Sequence, residues 1–582
     1  MSLKPDPIPP VPDQTAAVAR RAFRRPPLAV RLRDEFGALY EDADFAALFP
    51  TRGQPALPPW RLAVVTVLQF LEGLTDRQTA DAVRARIDWK YALSLELTDP
   101  GFDHSVLSEF RARLVAGGAE QVLLDRLLTH AAARGLVKAR TTQRTDSTHV
   151  LGSAVPAAVR TLNRLELVGE CVRAALNALA AVAPGWLRAV APPEWRARYD
   201  RRIEEGRLPP TGAARERLLR TLGEDGAALL AAVDAPTTPP ALRTLPAVAA
   251  LRRVLARHYA REPAGGEPAG EPAGEPATGE GPDGERAPDG PRPRTKGELA
   301  RAPRAVESPY EPDARYCGRS GLEWVGYMVH LSETCAPGLP RLVTHVDTTP
   351  AGVYEATRVD AIHAGPAAKG LLPAVHLADG AYISAALLVR SARDHGVRLR
   401  GPTKPGRAWQ GRAGGFTPDA FRVDWRRRRV TCPAGQASTT WRAYAGAATE
   451  ASRGRDPFVK VGFAPSTCDA CALHTRCVRG PGRGRQLALH PRAEHQALAA
   501  ARAHHASPAG RREYAQRSGV EAAMSQAVRA FGLRRARYRG LARTPVQAVA
   551  TAAALNAARL DAWLAGRPLG PTRVSRFARL AA

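Results

Sequence analysis

The chain has 582 residues, 84 Lys and Arg against 56 Asp and Glu, and a formal charge of +28, so it is too long for one ordinary core and its surplus charge implies a polyanionic partner. Nucleic acid fits best, because each neutralised phosphate releases counterions; basic membrane anchors also carry a Trp, Phe or Leu face, and none is evident. Seven cysteines in this length do not make a secreted disulfide framework, MSLKPDPIPPVPDQ lacks the apolar core of a signal peptide, and no run reaches the length of a membrane span, so a cytoplasmic protein is expected.

Residues 1–27, rich in proline, read as a flexible lead. Residues 28–140 read as a helical domain. Trp60 to Leu74 is an apolar stripe, Thr75 and Gln78 form a capping box that opens a second helix, and a third starts near Ser105 with Val106, Leu107, Phe110 and Leu114 at helical spacing. Such a helix-turn-helix-like unit serves either DNA binding or packing and dimerisation, since fold alone does not fix function. In residues 141–160 the stretch Arg144 to Leu151 reads as a strand. Asp146 lies within it. Aspartate is a poor strand former, so it is there either for chemistry or for a local hydrogen bond. Residues 161–261 read as a helical insertion without recognisable chemistry. Residues 262–308 follow as a disordered linker in which Gly-Glu-Pro-Ala recurs from Gly266, Gly270 and Gly274.

Residues 309–405 bring strands at 324–331 and 341–347, a helix at 354–371, a strand running into a turn over 374–382 and a helix at 384–395. A strand at 397–401 closes the stretch. With the Asp146 strand these make a mixed α/β sheet, and Asp379 falls at a strand's carboxyl end, where sites form in open α/β sheets. Residues 406–495 are a small β insertion bearing Cys432, Cys468, Cys471 and Cys477. Its thiols, or three of them with His474, suit a structural Zn2+; the alternatives are reduced, unliganded cysteines or an iron-sulfur cluster. Residues 496–582 supply a C-terminal helix and a basic tail. On that helix Arg517, Glu521, Ser525 and Arg529 stand four apart and share a face. A carboxylate among arginines is either an exposed ion pair or a metal ligand beside a phosphodiester.

Several segments then fit one pattern: WRLAVVTVLQFLEGLTDRQTADAVRARIDWKYALSL near the N-terminus, then TDSTHVL, ARYCGRSGLEWVGYMVHLSETC, HLADGAY and GLRRARYRGLART. The spacing of Tyr514, Arg517 and Glu521 fits a Tyr-x2-Arg-x3-Glu signature. On these residues the chain resembles the DDE transposases of bacterial insertion sequences, in the branch with a cysteine-bearing insertion before the last acidic helix. The resemblance implies a ribonuclease H-like core with Asp146, Asp379 and Glu521 as catalytic acids that hold two Mg2+ or Mn2+ ions. It also implies phosphate contacts from Arg517, Arg529, Tyr514, Arg534 and Arg535. The implied partner is double-stranded DNA, both the element's terminal repeats and the target, bound by a homodimer or larger synaptic complex. The implied reaction is cleavage followed by strand transfer. Val528 stands where many relatives have lysine, Met328 ends a motif that is usually Gly-Tyr-Lys, and Gly380-Ala381 reverses the commoner order. A metal-dependent endonuclease on the same fold, or an inactive or repurposed DNA-binding protein, are the rival expectations.

Overall fold

The computed structural model describes residues 2–153, 164–203, 208–261, 291–295, 298–299, 305–319, 322–404, 409–412, 414–445 and 457–567. Most of the expected linker and the tail beyond residue 567 lie outside the described residues.

The expected flexible lead is corrected. Asp13–Ala22 is a helix, begun by Pro12 and with Asp13 in its first turn, where a carboxylate favours the helix dipole. Its Ala19 packs with Val30 and Tyr91, and the Thr15 hydroxyl donates to the Leu95 carbonyl at 2.8 Å. Beyond it, helix Pro59–Glu72 is buried on most sides and stops at Gly73, whose φ of 71° is the left-handed conformation a helix end asks of glycine. Helix Asp76–Ala85 starts at the expected capping box: the Thr75 N–H donates to Gln78 Oε1 at 2.9 Å and the Gln78 N–H to Thr75 Oγ1 at 3.3 Å. Helices Ser105–Ala116 and Val122–Ala133 complete the layer.

Strand β1 (Thr142–Leu151) follows. The helical insertion, 164–261, has its own core around Val168, Val172, Leu222 and Leu251. It ends in β2 (Tyr259–Arg261), which pairs with β3 (Pro291–Pro293), a piece of the segment expected to be disordered. The sheet then grows through β4 (Arg315–Arg319), β5 (Leu322–Thr334), β6 (Val343–Pro350), β7 (Val375–Leu377) and β8 (Arg398–Arg400). β5 is antiparallel to β4, β6 and β1, whereas β1, β7 and β8 run parallel. The order β6-β5-β1-β7-β8, with helices Val359–Ala368 and Ala385–His395 as crossovers, is a ribonuclease H-like mixed α/β sheet.

Several boundaries differ from expectation. The helix expected over 354–371 is a 3-10 turn at Glu355–Arg358 followed by a helix that stops at Ala368. Of the strand and turn expected over 374–382, the strand stops at Leu377, because Asp379 folds back on its own backbone and accepts the Ala381 N–H at 2.8 Å. β4 was not foreseen. The cysteine-bearing insertion holds hairpin β9 (Arg422–Asp424) and β10 (Arg429–Thr431), and the antiparallel sheet β11 (Thr440–Tyr444), β12 (Phe458–Gly462) and β13 (Gln486–Leu489).

The largest correction is at the C-terminus. Instead of only a catalytic helix and basic tail, it contributes helix Thr544–Leu564, which lies against helices 59–72 and 122–133 and against β6. Ala548, Ala550 and Ala552 to Ala554 let neighbouring backbones approach closely, and all are buried. One core therefore joins the N-terminal helices, β1, β5, β6 and both C-terminal helices. No helix among the described residues is long and apolar enough to cross a membrane.

Asn556 fastens that helix to the sheet: its carboxamide accepts the Val343 N–H and donates to the Val343 carbonyl, both at 2.8 Å, with the side chain fully buried. Asn556→Ala would leave both backbone groups unpaired, and a loss of about 2 to 4 kcal/mol in urea unfolding is expected. An unchanged unfolding midpoint would show that the fastening is dispensable.

Candidate active site

β1 and β7 run parallel with Thr142 opposite Val375, Gln143 opposite His376 and Arg144 opposite Leu377. Carried two residues onward, that register sets Asp379, on the turn after β7, beside Asp146 on β1. The sheet thus brings together two acids more than 230 positions apart in sequence.

Glu521 comes from the C-terminal side. The arginine expected on its helix is one turn earlier: Arg517 lies in the 3-10 turn Gln516–Ser518, and helix Gly519–Phe531 carries Glu521 in its first turn. This element is tied to β1 from below. Arg144, on the same strand face as Asp146, donates through Nε to Glu333 Oε1 at 2.8 Å and through Nη1 to the Gln516 carbonyl. Glu333 also accepts from Arg559 at 2.6 Å, and neither Glu333 nor Arg144 is more than 3 % exposed. Gly519 is required by this contact, since a Cβ there would fall 2.1 Å from Arg144 Nη1.

All three acids face one guanidinium. Arg517 Nη2 is 2.9 Å from Asp146 Oδ2 and 4.0 Å from Asp379 Oδ2, and Nη1 is 3.6 Å from Glu521 Oε1. Asp379 has a second cation in Arg319, at 3.6 Å, which also pairs with Glu355. Burial raises the pKa of Asp146 above the ordinary carboxylate value; Arg517 and the Ser147 N–H oppose the rise, while Asp379 and Glu521 add to it. Three carboxylates this close need positive charge between them.

Buried polar pairs brace the acids from behind. Tyr382, three residues after Asp379, shares a hydrogen bond with His330 Nδ1 on β5 at 2.7 Å. Thr145, next to Asp146, bonds His376 Nε2 at 2.7 Å and Ser332 at 2.6 Å, and His376 in turn bonds His363 at 2.8 Å. Burial lowers the pKa of His330 and of His363 to about 4, so both rings are neutral near pH 7.

The remaining phosphate candidates are spread more widely. Arg529 and Arg535 are exposed. Arg534 is also exposed and donates to Thr148 on β1 at 3.1 Å. Tyr514 is half-buried, edge-on to His505 at 5.0 Å. Two of the three departures from the family pattern point inward, Met328 with Trp324 and Ala351, Val528 against the main core. Sequence reasoning missed Arg144, Glu333, Arg319, Tyr382 and His330 as supports of the site. Arg144 alone left a readable signal, since strand period 2 puts it on the face of Asp146.

In the insertion, Cys432, Cys468, Cys471, Cys477 and His474 line one pocket. The Arg485 N–H donates to Cys468 Sγ and the Leu473 N–H to Cys471 Sγ, each at 3.4 Å. Burial raises the Cys477 thiol pKa and the other three thiols raise it further, against the pull of Arg485. Among the described residues, no three His, Cys, Asp or Glu side chains close around one point at ligating distance, here or at the carboxylates. The donor types nevertheless suit each ion: oxygen for a hard cation beside Arg517, sulfur and imidazole for zinc in the insertion.

Removing Arg144 would strip Glu333 of one of its two cations and release the turn that carries Arg517. Arg144→Ala is expected to cost on the order of 3 kcal/mol in urea unfolding. A cost below about 1 kcal/mol would show that Arg559 alone satisfies Glu333.

Two families match the chain. One is described as a transposase DDE domain, over residues 431–561, and takes in the four clustered cysteines, Arg517 and Glu521; the other is described as a transposase domain, DUF772, over residues 26–113. Neither takes in Asp146 or Asp379. No curated protein and no solved structure matches.

Proposed function

We propose that this chain, whose two matched families support a DDE transposase of an insertion sequence, cleaves DNA at the ends of such an element and joins the cut ends to target DNA. The observation that carries the reading is the convergence of Asp146, Asp379 and Glu521 on the single guanidinium of Arg517. The three carboxylates would hold two Mg2+ or Mn2+ ions, which when bound activate the attacking hydroxyl and neutralise the leaving oxygen.

The chain's own residues supply position and charge. Asp146 and Asp379 are fixed by strand register, and Glu521 by the Arg144 anchor beneath its helix. The planar fork of Arg517, beside the carboxylates, would suit the oxygens of a phosphodiester. Arg529, Arg534 and Arg535 add phosphate contacts, and Tyr514 packs at the same element. Met328 and Val528, being turned to the core, take no part. Joining two element ends needs two such sites, so the working form is a homodimer or larger assembly on double-stranded DNA. In the insertion, Cys432, Cys468, Cys471 and Cys477 would hold one structural Zn2+, which cross-links strands and turns around a small core.

The decisive assay offers DNA carrying the sequences that flank the gene, with Mg2+ or Mn2+, to wild type and to Glu521→Gln. Nicked and joined products that vanish in the variant are expected. Cleavage without joining would assign an endonuclease, and binding without cleavage a DNA-binding remnant. Asp146→Asn should abolish cleavage and spare end binding, because the arginines remain; retained cleavage would remove Asp146 from the site. Metal analysis of the purified chain should find one zinc per chain, lost in Cys468→Ser along with part of the thermal stability. A folded, zinc-free wild type would refute the zinc assignment.

A further inference from the structure

We propose that the cysteine-bearing insertion carries a second DNA-binding surface, made by the outer face of the β11–β12–β13 sheet, which grips the phosphate backbone of duplex DNA. The inference rests on the transposase reading for its partner and on the insertion alone for its geometry.

Strand alternation gives this sheet two unlike faces. Val459, Val461, Leu487 and Leu489 point into the insertion's core, and the residues between them point out. On the outer face, antiparallel register sets Arg442 directly opposite Lys460. Like charges directly opposite one another destabilise a sheet. Both are exposed, and among the described residues neither makes an ion pair or a side-chain hydrogen bond. None of the three strands contains an Asp or Glu to relieve them. A face that keeps two opposed, unpaired cations is built for a polyanion.

The next cross-strand pair is aromatic. Tyr444 stacks on Phe458 with ring centroids 4.9 Å apart and planes 9° from parallel, and Tyr444 remains 41 % exposed. Contacts to phosphate and sugar from Arg, Lys and Tyr side chains are what hold a protein on a duplex without reading its sequence, and this face offers all three. Against the core-facing side of the sheet packs the β9–β10 hairpin, whose Arg426 to Arg429 are all exposed; among the described residues only Arg427 of these is within ion-pair reach of an acid, Asp424 at 3.7 Å. The hairpin is held rigidly. Trp425 meets Trp441 of β11 and His495 of helix Arg492–Ala506 edge-on, each with centroids 5.4 Å apart. Since that helix leads on to the segment bearing Arg517, DNA on this surface and DNA at the carboxylates would be held by one continuous stretch of chain.

The test uses the full-length chain and a fluorescent duplex of arbitrary sequence, with Kd measured over a range of salt. Each lost phosphate contact lowers the slope of log affinity against log salt by about 0.9. For Arg442→Gln/Lys460→Gln the slope is therefore expected to fall by about 1.8, with binding weakened alike on any sequence. A control that removes the same charge from the helical insertion, Arg196→Gln/Arg217→Gln, should leave the slope unchanged. The double variant should melt no lower than wild type, since the opposed charges are gone; a structural role for the pair would lower Tm instead. If wild type binds and cleaves but the double variant keeps its slope and affinity, the surface is overturned and the transposase reading stands. If the slope falls as expected but wild type never cleaves, the surface stands and the enzymatic reading fails. If wild type does not bind duplex DNA at all, both fall.

Discussion

The buried ion pair between Arg144 and Glu333, opposite each other on β1 and β5, is the contact on which the site depends, because each partner also reaches the C-terminal part of the chain, Arg144 to Gln516 and Glu333 to Arg559. Glu333 belongs to the sheet, Arg144 to the strand that carries Asp146, and the second hand of the Arg144 guanidinium holds the carbonyl of Gln516. An acid and a base taken out of water are costly unless their remaining groups are bonded. Here Arg559 takes the other oxygen of Glu333, so the charges are shared among three side chains from three elements. The geometry admits few alternatives: shifting β1 by one residue would turn Arg144 and Asp146 to the opposite face together.

Above that anchor the acids meet a cation whichever way the site is used. Asp379 and Glu521 raise the affinity of Asp146 for protons, and the positive charge of Arg517 opposes the rise. One guanidinium therefore both opposes protonation of Asp146 and stands where a phosphodiester would need a partner. The polar braces behind the sheet, Tyr382 with His330 and Thr145 with His376, contribute no charge of their own, since buried imidazoles are neutral.

Local chemistry was readable from the sequence; long-range packing was not. The Thr75–Gln78 capping box, the β1 strand and the Asp146 and Glu521 segments follow from patterns spanning a few residues. The turn after Asp379 was readable too, as Asp-Gly-Ala favours folding back over extension, though the strand before it stops at Leu377, short of Asp379. What escaped were features decided by distant partners. Helix 544–564 looks like an alanine-rich tail until β6 and the N-terminal helices surround it. The lead helix 13–22 acquires a buried side only through Val30 and Tyr91. Arg319 and Glu333 look like surface charges in sequence, and only the register of β4 and β5 turns them toward the acids and the anchor.

The central placing of helix 544–564 also governs when the protein can exist. A ribosome delivers the N-terminal helices and β1 hundreds of residues before the strand of alanines that fills the space between them and β6. Until that last segment leaves the ribosome the main core has an open seam, and non-local closure of this kind is slow and exposes apolar surface. A chain that stopped between Glu521 and Thr544 would hold every acidic residue of the site and lack the helix that closes the core around them. Closure of the main core therefore waits on synthesis through Leu564.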